Sequence, residues 1–324
     1  MDKGVAITGM GIISAIGNNV AENYQSLVEG RSGVGRISHI DTVHKNDIMV
    51  GEVPFSNEEL EIQLGLDPDN NYSRTALLGA YAAKQAVAHS NITEIGKYRT
   101  GLISATSVGG MDHTEQYYYE YLDSEAHRKY IESHHAGDST QKIAEQLGIK
   151  QSLVTTISTA CSSAANAIMF GARLINSGRL DRVIVGGADC LSKFTLNGFK
   201  TLMILSDTYN TPFDDDRKGL NLGEAAAFLV LESDAVVKTE NKKVLAYLKG
   251  FGNANDAYHQ TASSENGDGA ALAMVKALEV ANLGPNQIDY INAHGTATAN
   301  NDLSEGRAIL QVFGEVVPDF SSTK

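Results

Sequence analysis

Tryptophan is absent from this 324-residue chain, cysteine occurs twice, proline five times, and lysine plus arginine (26) fall well short of aspartate plus glutamate (39). Each scarcity excludes something. Cys161 and Cys190 cannot build a disulfide framework and lie too far apart in sequence for metal-binding spacing, so a reducing, cytoplasmic setting is expected. No apolar run reaches the roughly eighteen residues of a membrane span, and Asp2, Lys3, Thr8, Gly9 and Gly11 interrupt the start too often for a signal peptide. The net charge of -13 opposes binding to nucleic acid or anionic lipid, which need clustered cations to release counterions. So few prolines leave no low-complexity linker. What remains is ordinary globular composition, 42% hydrophobic and 20% charged, enough chain for one large core or two smaller ones.

Short β-branched or apolar runs alternate with stretches of helical spacing, which predicts an α/β protein with largely buried strands. Strands are expected over 5–8, 100–106, 154–158, 182–185, 226–232, 246–249 and 289–293, and helices over 75–88, 140–147, 162–176 and 269–281. Gly178 falls where a left-handed helix C-cap belongs. The charged stretch SDAVVKTENKK at 233–243 marks a half-boundary, giving units 1–238 and 239–324. After it VLAYLKGFGNAND repeats the character of VAITGMGIIS at the start, an internal duplication whose second copy is much the shorter.

Cys161 follows the β-branched run Val154–Ile157 and opens a helix. Unpaired N–H groups and the positive dipole end favour a thiolate there, the form that attacks thioesters, although a free cysteine is also commonly a buried, inert hydrophobe. His294 in DYINAHGTATANND lies at the C-terminal end of a strand, where open α/β sheets place their sites. Its imidazole could hydrogen-bond a thioester carbonyl that becomes an enolate, or simply satisfy a backbone group. Gly9 and Gly11 partly match a dinucleotide fingerprint, with Ser14 in place of the third glycine; close packing in a strand-to-helix turn is the competing reading. Asp214, Asp215 and Asp216 lack the spaced partners of a cation site, so no metal is expected and a solvated loop fits better. The tyrosine-rich segment from His113 to His135 reads as an interface, a lid or an ordinary surface helix.

With Cys161 and His294 taken together, the chain resembles the β-ketoacyl-acyl carrier protein synthases, the type II chain-elongating branch of the thiolase superfamily. The likeness runs through VAITGMGIISAIGN, SVGGM at 107–111, STACSSAANAI at 158–168, VIVGGAD at 183–189, PFDDDRKGLNLGEAAAFLVLE at 212–232, DAYHQTAS at 256–263, NAHGTATANND at 292–302 and SSTK at 321–324. It implies a thiolase-like five-layered αβαβα fold from two βα repeats, with the second incomplete. It also implies decarboxylative condensation of a Cys161-bound acyl group with malonyl-acyl carrier protein. Catalytic roles fall on Cys161, His294 and Lys324, pantetheine contacts on Thr261, Thr296 and Thr298, an acyl-pocket role on Val108, and supporting roles on Asp302 and Glu305. No cofactor is implied beyond the phosphopantetheine of acyl carrier protein, and the partners are that carrier and a second synthase subunit, identical or related. A non-catalytic, chain-length-factor-like subunit is the alternative, weighed against by the retained cysteine.

Three departures accompany the likeness. The family continues past SSTK into a second catalytic histidine and a glycine-rich oxyanion loop, so a truncated chain with little condensing activity alone is expected. GEAAAF replaces a more glycine-rich motif, and basic residues for docking an acidic carrier are sparse, with Arg74, Arg128 and Lys129 the candidates.

Overall fold

The computed structural model describes residues 4–150, 152–259 and 262–323. Its strands are β1 (Val5–Ser14), β2 (Val34–Arg36), β3 (Met49–Gly51), β4 (Thr100–Ala105), β5 (Val154–Ile157), β6 (Arg182–Asp189), β7 (Leu222–Gly223), β8 (Ala225–Glu232), β9 (Ala246–Leu248), β10 (Tyr290–Asn292) and β11 (Asp319–Ser321). The helices of the first part are α1 (Val20–Val28), α2 (Asn57–Leu64), α3 (Arg74–His89), α4 (Met111–Tyr121), α5 (Arg128–Ile131), α6 (Ala136–Leu147), α7 (Ser163–Asn176) and α8 (Lys193–Thr201). Three more follow: α9 (Asp234–Thr239), α10 (Asp268–Ala281) and α11 (Ala299–Phe313). Among the described residues no helix is long and apolar enough to cross a membrane.

Six strands form one mixed sheet in the order β5-β4-β6-β8-β1-β9. β4 pairs in parallel with β5 and β6, while β8 runs antiparallel to both β6 and β1. Helices cover both faces. On one, Leu77, Leu78, Ala82 and Ala86 of α3 meet Leu102, Ile184, Phe228 and Val230 of the sheet. On the other, Ala167, Ala172, Leu174 and Ile175 of α7 meet Ile103, Val183, Val185 and Leu231. This two-sided burial explains why β4 is buried at every position and lacks a polar alternation. Gly178, with φ +67°, ends α7 as expected.

Gly9 and Gly11 make no turn, which corrects the expected one. Both lie inside β1, which runs on to Ser14. A Cβ on either would strike the carbonyl of Ala86 or Ala82, so the glycines let α3 lie directly on the strand. Gly250 and Gly252 stand in the same relation to the carbonyls of Ala277 and Ala273 in α10. The same glycine-on-helix contact thus occurs twice, once within β1 and once just after β9, in keeping with a duplicated unit. β9 also pairs antiparallel with β1, Val5 opposite Leu248, and joins the second copy to the edge of the main sheet.

Register is pinned between β6 and β8 by Arg182 opposite Glu232. The pair is buried, at 2% and 0% side-chain exposure, with Nε 2.6 Å from Oε1. The Tyr98 ring lies 5.2 Å from that guanidinium.

Candidate active site

β5 stops at Ile157 and α7 starts at Ser163, so residues 158–162 must turn within a few peptides. Ala160 takes φ +51°, a left-handed conformation costly for a residue with a Cβ, and hydrogen bonds on both sides enforce it. Thr159 N donates to Ser163 Oγ (2.8 Å), Ser163 Oγ donates to Ala160 O (2.6 Å), and Ser162 Oγ donates to Thr159 O (2.8 Å). The turn holds Cys161 exposed at the head of the helix, where first-turn N–H groups have no intrahelical partner. Cys190 is fully buried, and loss of solvent pushes its thiol well above the ordinary range.

Cys161 opens on a cavity of about 320 Å³ floored by Ala105, Gly187, Ala225 and Ala227 and edged by Thr106 and Asp189. Gly187 is in register with both Ala105 and Ala227, so the floor is a cross-strand row of very small side chains. Asp189 accepts from Thr106 Oγ1 (2.6 Å) and from the amides of Ser107 (2.9 Å) and Val108 (3.4 Å). It therefore fixes the turn that carries Ser107, which lines the cavity, and Val108, which is not among its lining residues.

The second constellation is the loop after β10. Glu305 of α11 accepts from the amides of His294 (2.7 Å) and Gly295 (2.9 Å). Asp302, 3% exposed, accepts from the amides of Ala297 (3.1 Å) and Phe213 (2.7 Å). The Thr296 and Thr298 hydroxyls are 2.8 Å apart. Gly295 has φ +44°, and a Cβ there would come within 2.5 Å of Ser322 Cβ. Ser322 Oγ in turn donates to the carbonyls of His294 (3.2 Å) and Gly295 (3.1 Å). Arg217 donates through Nε to Thr298 O (3.3 Å) and through its terminal nitrogen to Ala299 O (3.0 Å). The 212–219 segment is thus a brace for the histidine loop. Its exposed aspartates, 214–216, form the solvated turn expected, and among the described residues no His, Cys, Asp and Glu cluster could hold a metal.

The His294 loop, with Thr296, Thr298, Asp302 and Glu305, therefore forms one hydrogen-bonded unit, while Cys161 shares a separate cavity lining with Ser107 and Asp189; His294 is not among the residues lining that cavity. Thr261 and Lys324 lie outside the described residues. Arg74 is corrected as a docking residue. Its guanidinium is largely buried against Glu224, 2.5 Å away, because Glu224 also accepts from the amides of Val53 and Leu191 and needs a counter-charge. Lys129 is paired with Asp69, and Arg128 with Glu125 at 3.1 Å. Sequence reasoning missed Asp189 and Glu224 as organising residues. Their one signal was an acidic side chain closing or opening an otherwise apolar strand.

A thiol on a strained strand-to-helix turn of the helix-covered six-stranded sheet, together with an imidazole on the braced loop after the separate β10-β11 pair, suits an acyl-transferring enzyme that works through a cysteine nucleophile. The comparisons are specific. The chain matches the β-ketoacyl synthase N-terminal domain over residues 2–236 and the β-ketoacyl synthase C-terminal domain over residues 245–324, and it belongs to the β-ketoacyl synthase family. It is 31% identical to 3-oxoacyl-[acyl-carrier-protein] synthase 2 of Staphylococcus aureus, over all of this chain and 80% of that protein. The namesake from Vibrio cholerae is 32% identical over 96% of this chain and 77% of its own length. Among solved structures, the ishigamide ketosynthase/chain length factor superposes with TM-score 0.92 at 31% identity, covering 99% of this chain and 80% of that one. A ketosynthase in complex with its chain length factor from Xenorhabdus doucetiae gives 0.84 at 34% identity, covering 99% and 79%. The fold is therefore the thiolase-like one, and the chain is an enzyme of the condensing class.

Proposed function

We propose that Cys161 takes an acyl group from the phosphopantetheine arm of an acyl carrier protein, and that the chain extends it with a malonyl unit in fatty acid or polyketide-type synthesis. The exposed thiol at the strained elbow, opening on a floor of alanine and glycine, carries this reading. The Cys161 sulfur attacks the thioester carbonyl, a new carbon–sulfur bond forms, and the pantetheine thiolate leaves and takes up a proton. In the second step the malonyl thioester loses carbon dioxide, and the electron pair of the broken bond forms an enolate. The enolate carbon then attacks the acyl carbonyl and returns the sulfur of Cys161 as thiolate. His294 serves the second step by donating to the thioester oxygen on which enolate charge accumulates. Thr296 and Thr298 contact the pantetheine arm with Thr261. Asp302 and Glu305 hold the loop, Val108 bounds the acyl group, and Lys324 contributes its charge.

The division at residues 238 and 239 belongs to the same reading, supported by the two domain matches falling on either side of residues 237–244. So does a paired state with an identical or related subunit in a cytoplasmic setting, with no cofactor of the chain's own. Structural relatives that include a chain length factor favour a second reading, a non-catalytic subunit of a heterodimer. Retention of Cys161 weighs against it, since a subunit without chemistry has no use for an exposed thiol at a strained turn. Mixing the chain with an acyl-carrier thioester and following free carrier thiol tests the first step. Release of one thiol per chain, lost in Cys161→Ala, is expected; release unchanged in that variant would refute the proposal.

A further inference from the structure

The turn that presents Cys161 is joined to the second copy of the duplicated unit by one polar chain. Asn166, one turn into α7, directs its amide nitrogen at Thr159 Oγ1 (2.8 Å) and Ser162 Oγ (3.3 Å), the residues flanking Ala160 and Cys161. Its carbonyl oxygen points the other way and accepts from Asn253 Nδ2 at 2.5 Å, across 87 positions of sequence. Asn253 follows Gly252, whose contact with α10 leaves no room for a side chain, and Lys276 of α10 donates to Asn253 O (3.2 Å). The segment after β9 that carries Gly252 and Asn253 therefore packs against that helix.

An asparagine amide has two chemically opposite ends. Facing Thr159 and Ser162 with nitrogen, it donates to both hydroxyl oxygens. Facing them with oxygen, it would compete with the Thr159 carbonyl for the single Ser162 hydroxyl proton. In the structure Asn253 presents its Nδ2 donor to the Asn166 oxygen, the arrangement that goes with the first orientation. We propose that Asn253 is a positioning residue for Cys161, acting through Asn166 and Thr159, so that the packing of the second half on α10 sets the geometry of the nucleophile turn. The inference rests on the reading of Cys161 as the nucleophile but concerns its presentation, which simple alkylation reports without any acyl substrate.

The test is the rate at which iodoacetamide labels Cys161 in the full chain across pH 6 to 10, read by peptide mass spectrometry beside the melting temperature. Asn253→Ala is expected to slow labelling about five-fold, the weight of one net hydrogen bond, and to displace the pH–rate profile. Thr159→Val should do the same, and adding Asn253→Ala to it should slow labelling no further, since the two act through one chain of contacts. Asn255→Ala, two residues along the same loop, should leave the rate unchanged. A wild-type rate and profile in Asn253→Ala would overturn the proposal, as would simple multiplication of the two effects in the double variant. If Asn253→Ala does not fold, Thr159→Val decides alone, and a wild-type rate there refutes it. Slowed alkylation in a chain that no carrier thioester acylates would sink the proposed function and leave this coupling standing.

Discussion

Replacing Asp302 with alanine removes a buried side chain of α11 that ties the helix to both the histidine loop and the 212–219 brace. Its carboxylate is 1% exposed, accepts from the amides of Phe213 (2.7 Å) and Ala297 (3.1 Å), and lies 3.8 Å from the guanidinium of Arg217. The substitution strands two amides at about 1–3 kcal/mol each and leaves Arg217 without its counter-charge, the situation that costs about 3–5 kcal/mol for a buried pair. Because these losses overlap, a total of about 4 kcal/mol is expected, a large part of the roughly 5–15 kcal/mol that holds a domain folded. Asp302→Asn keeps one carbonyl oxygen but turns an NH₂ toward the other amide, so about half the loss is expected. Urea unfolding measures both. With no tryptophan, the signal is circular dichroism or the fluorescence of the thirteen tyrosines. A fall in midpoint at constant denaturant slope is the expected result. A loss below about 1 kcal/mol for Asp302→Ala would show that the brace is held by other contacts, and the account of the histidine loop would fail.

Gly11→Ala drives a methyl group into the Ala82 carbonyl of α3, whereas Gly35→Ala meets nothing within 4 Å, so only the first should lower the melting temperature severely. Equal effects would remove the packing explanation for the glycines of β1. Glu232→Leu alone strands the buried Arg182 and should cost about 3–5 kcal/mol, and Arg182→Met added to it should recover most of that in the same urea titration. No recovery would mean that the pair contributes more than register. Desolvation, the largest influence, holds the buried His113 imidazole below its ordinary value of about 6.5; Asp112 and Asp138 oppose that shift and Lys142 adds to it. Below about pH 6.5 the unfolded chain then binds a proton that the folded chain does not, so this contribution to stability is present above that pH and lost as the pH falls toward the folded value. His113→Phe should flatten the slope of stability below about pH 6.5, and an unchanged slope would assign it elsewhere.

The long central elements were legible because burial on two faces writes a continuous apolar run and α3 and α7 carry their own periodicity. β4 and α7 appear within a residue or two of expectation. β1 was read too short because glycines look like a turn until the helix they admit is known. β2, β3 and β7 span two or three residues each, too short for any period to register. α11 was hidden by the polar run Ala299–Asp302, which reads as loop while its acids reach back to cap the histidine loop. Within the site, Cys161 and His294 stood out by residue type and position. The strain at Ala160 left no trace in sequence, because alanine rarely marks a left-handed residue. Asp189, Arg217 and Asn253 also went unread, since each acts on a partner far away along the chain.

The central claim is that Cys161, and not Cys190, is the thiol built to carry an acyl group. Incubation of the folded chain with an acyl-carrier thioester, followed by peptide mapping in a mass spectrometer, tests it most directly. The acyl mass is predicted on the peptide bearing Cys161, with the Cys190 peptide unmodified because that thiol is buried and held protonated. Acylation on Cys190, or none in a chain shown to be folded, would contradict it.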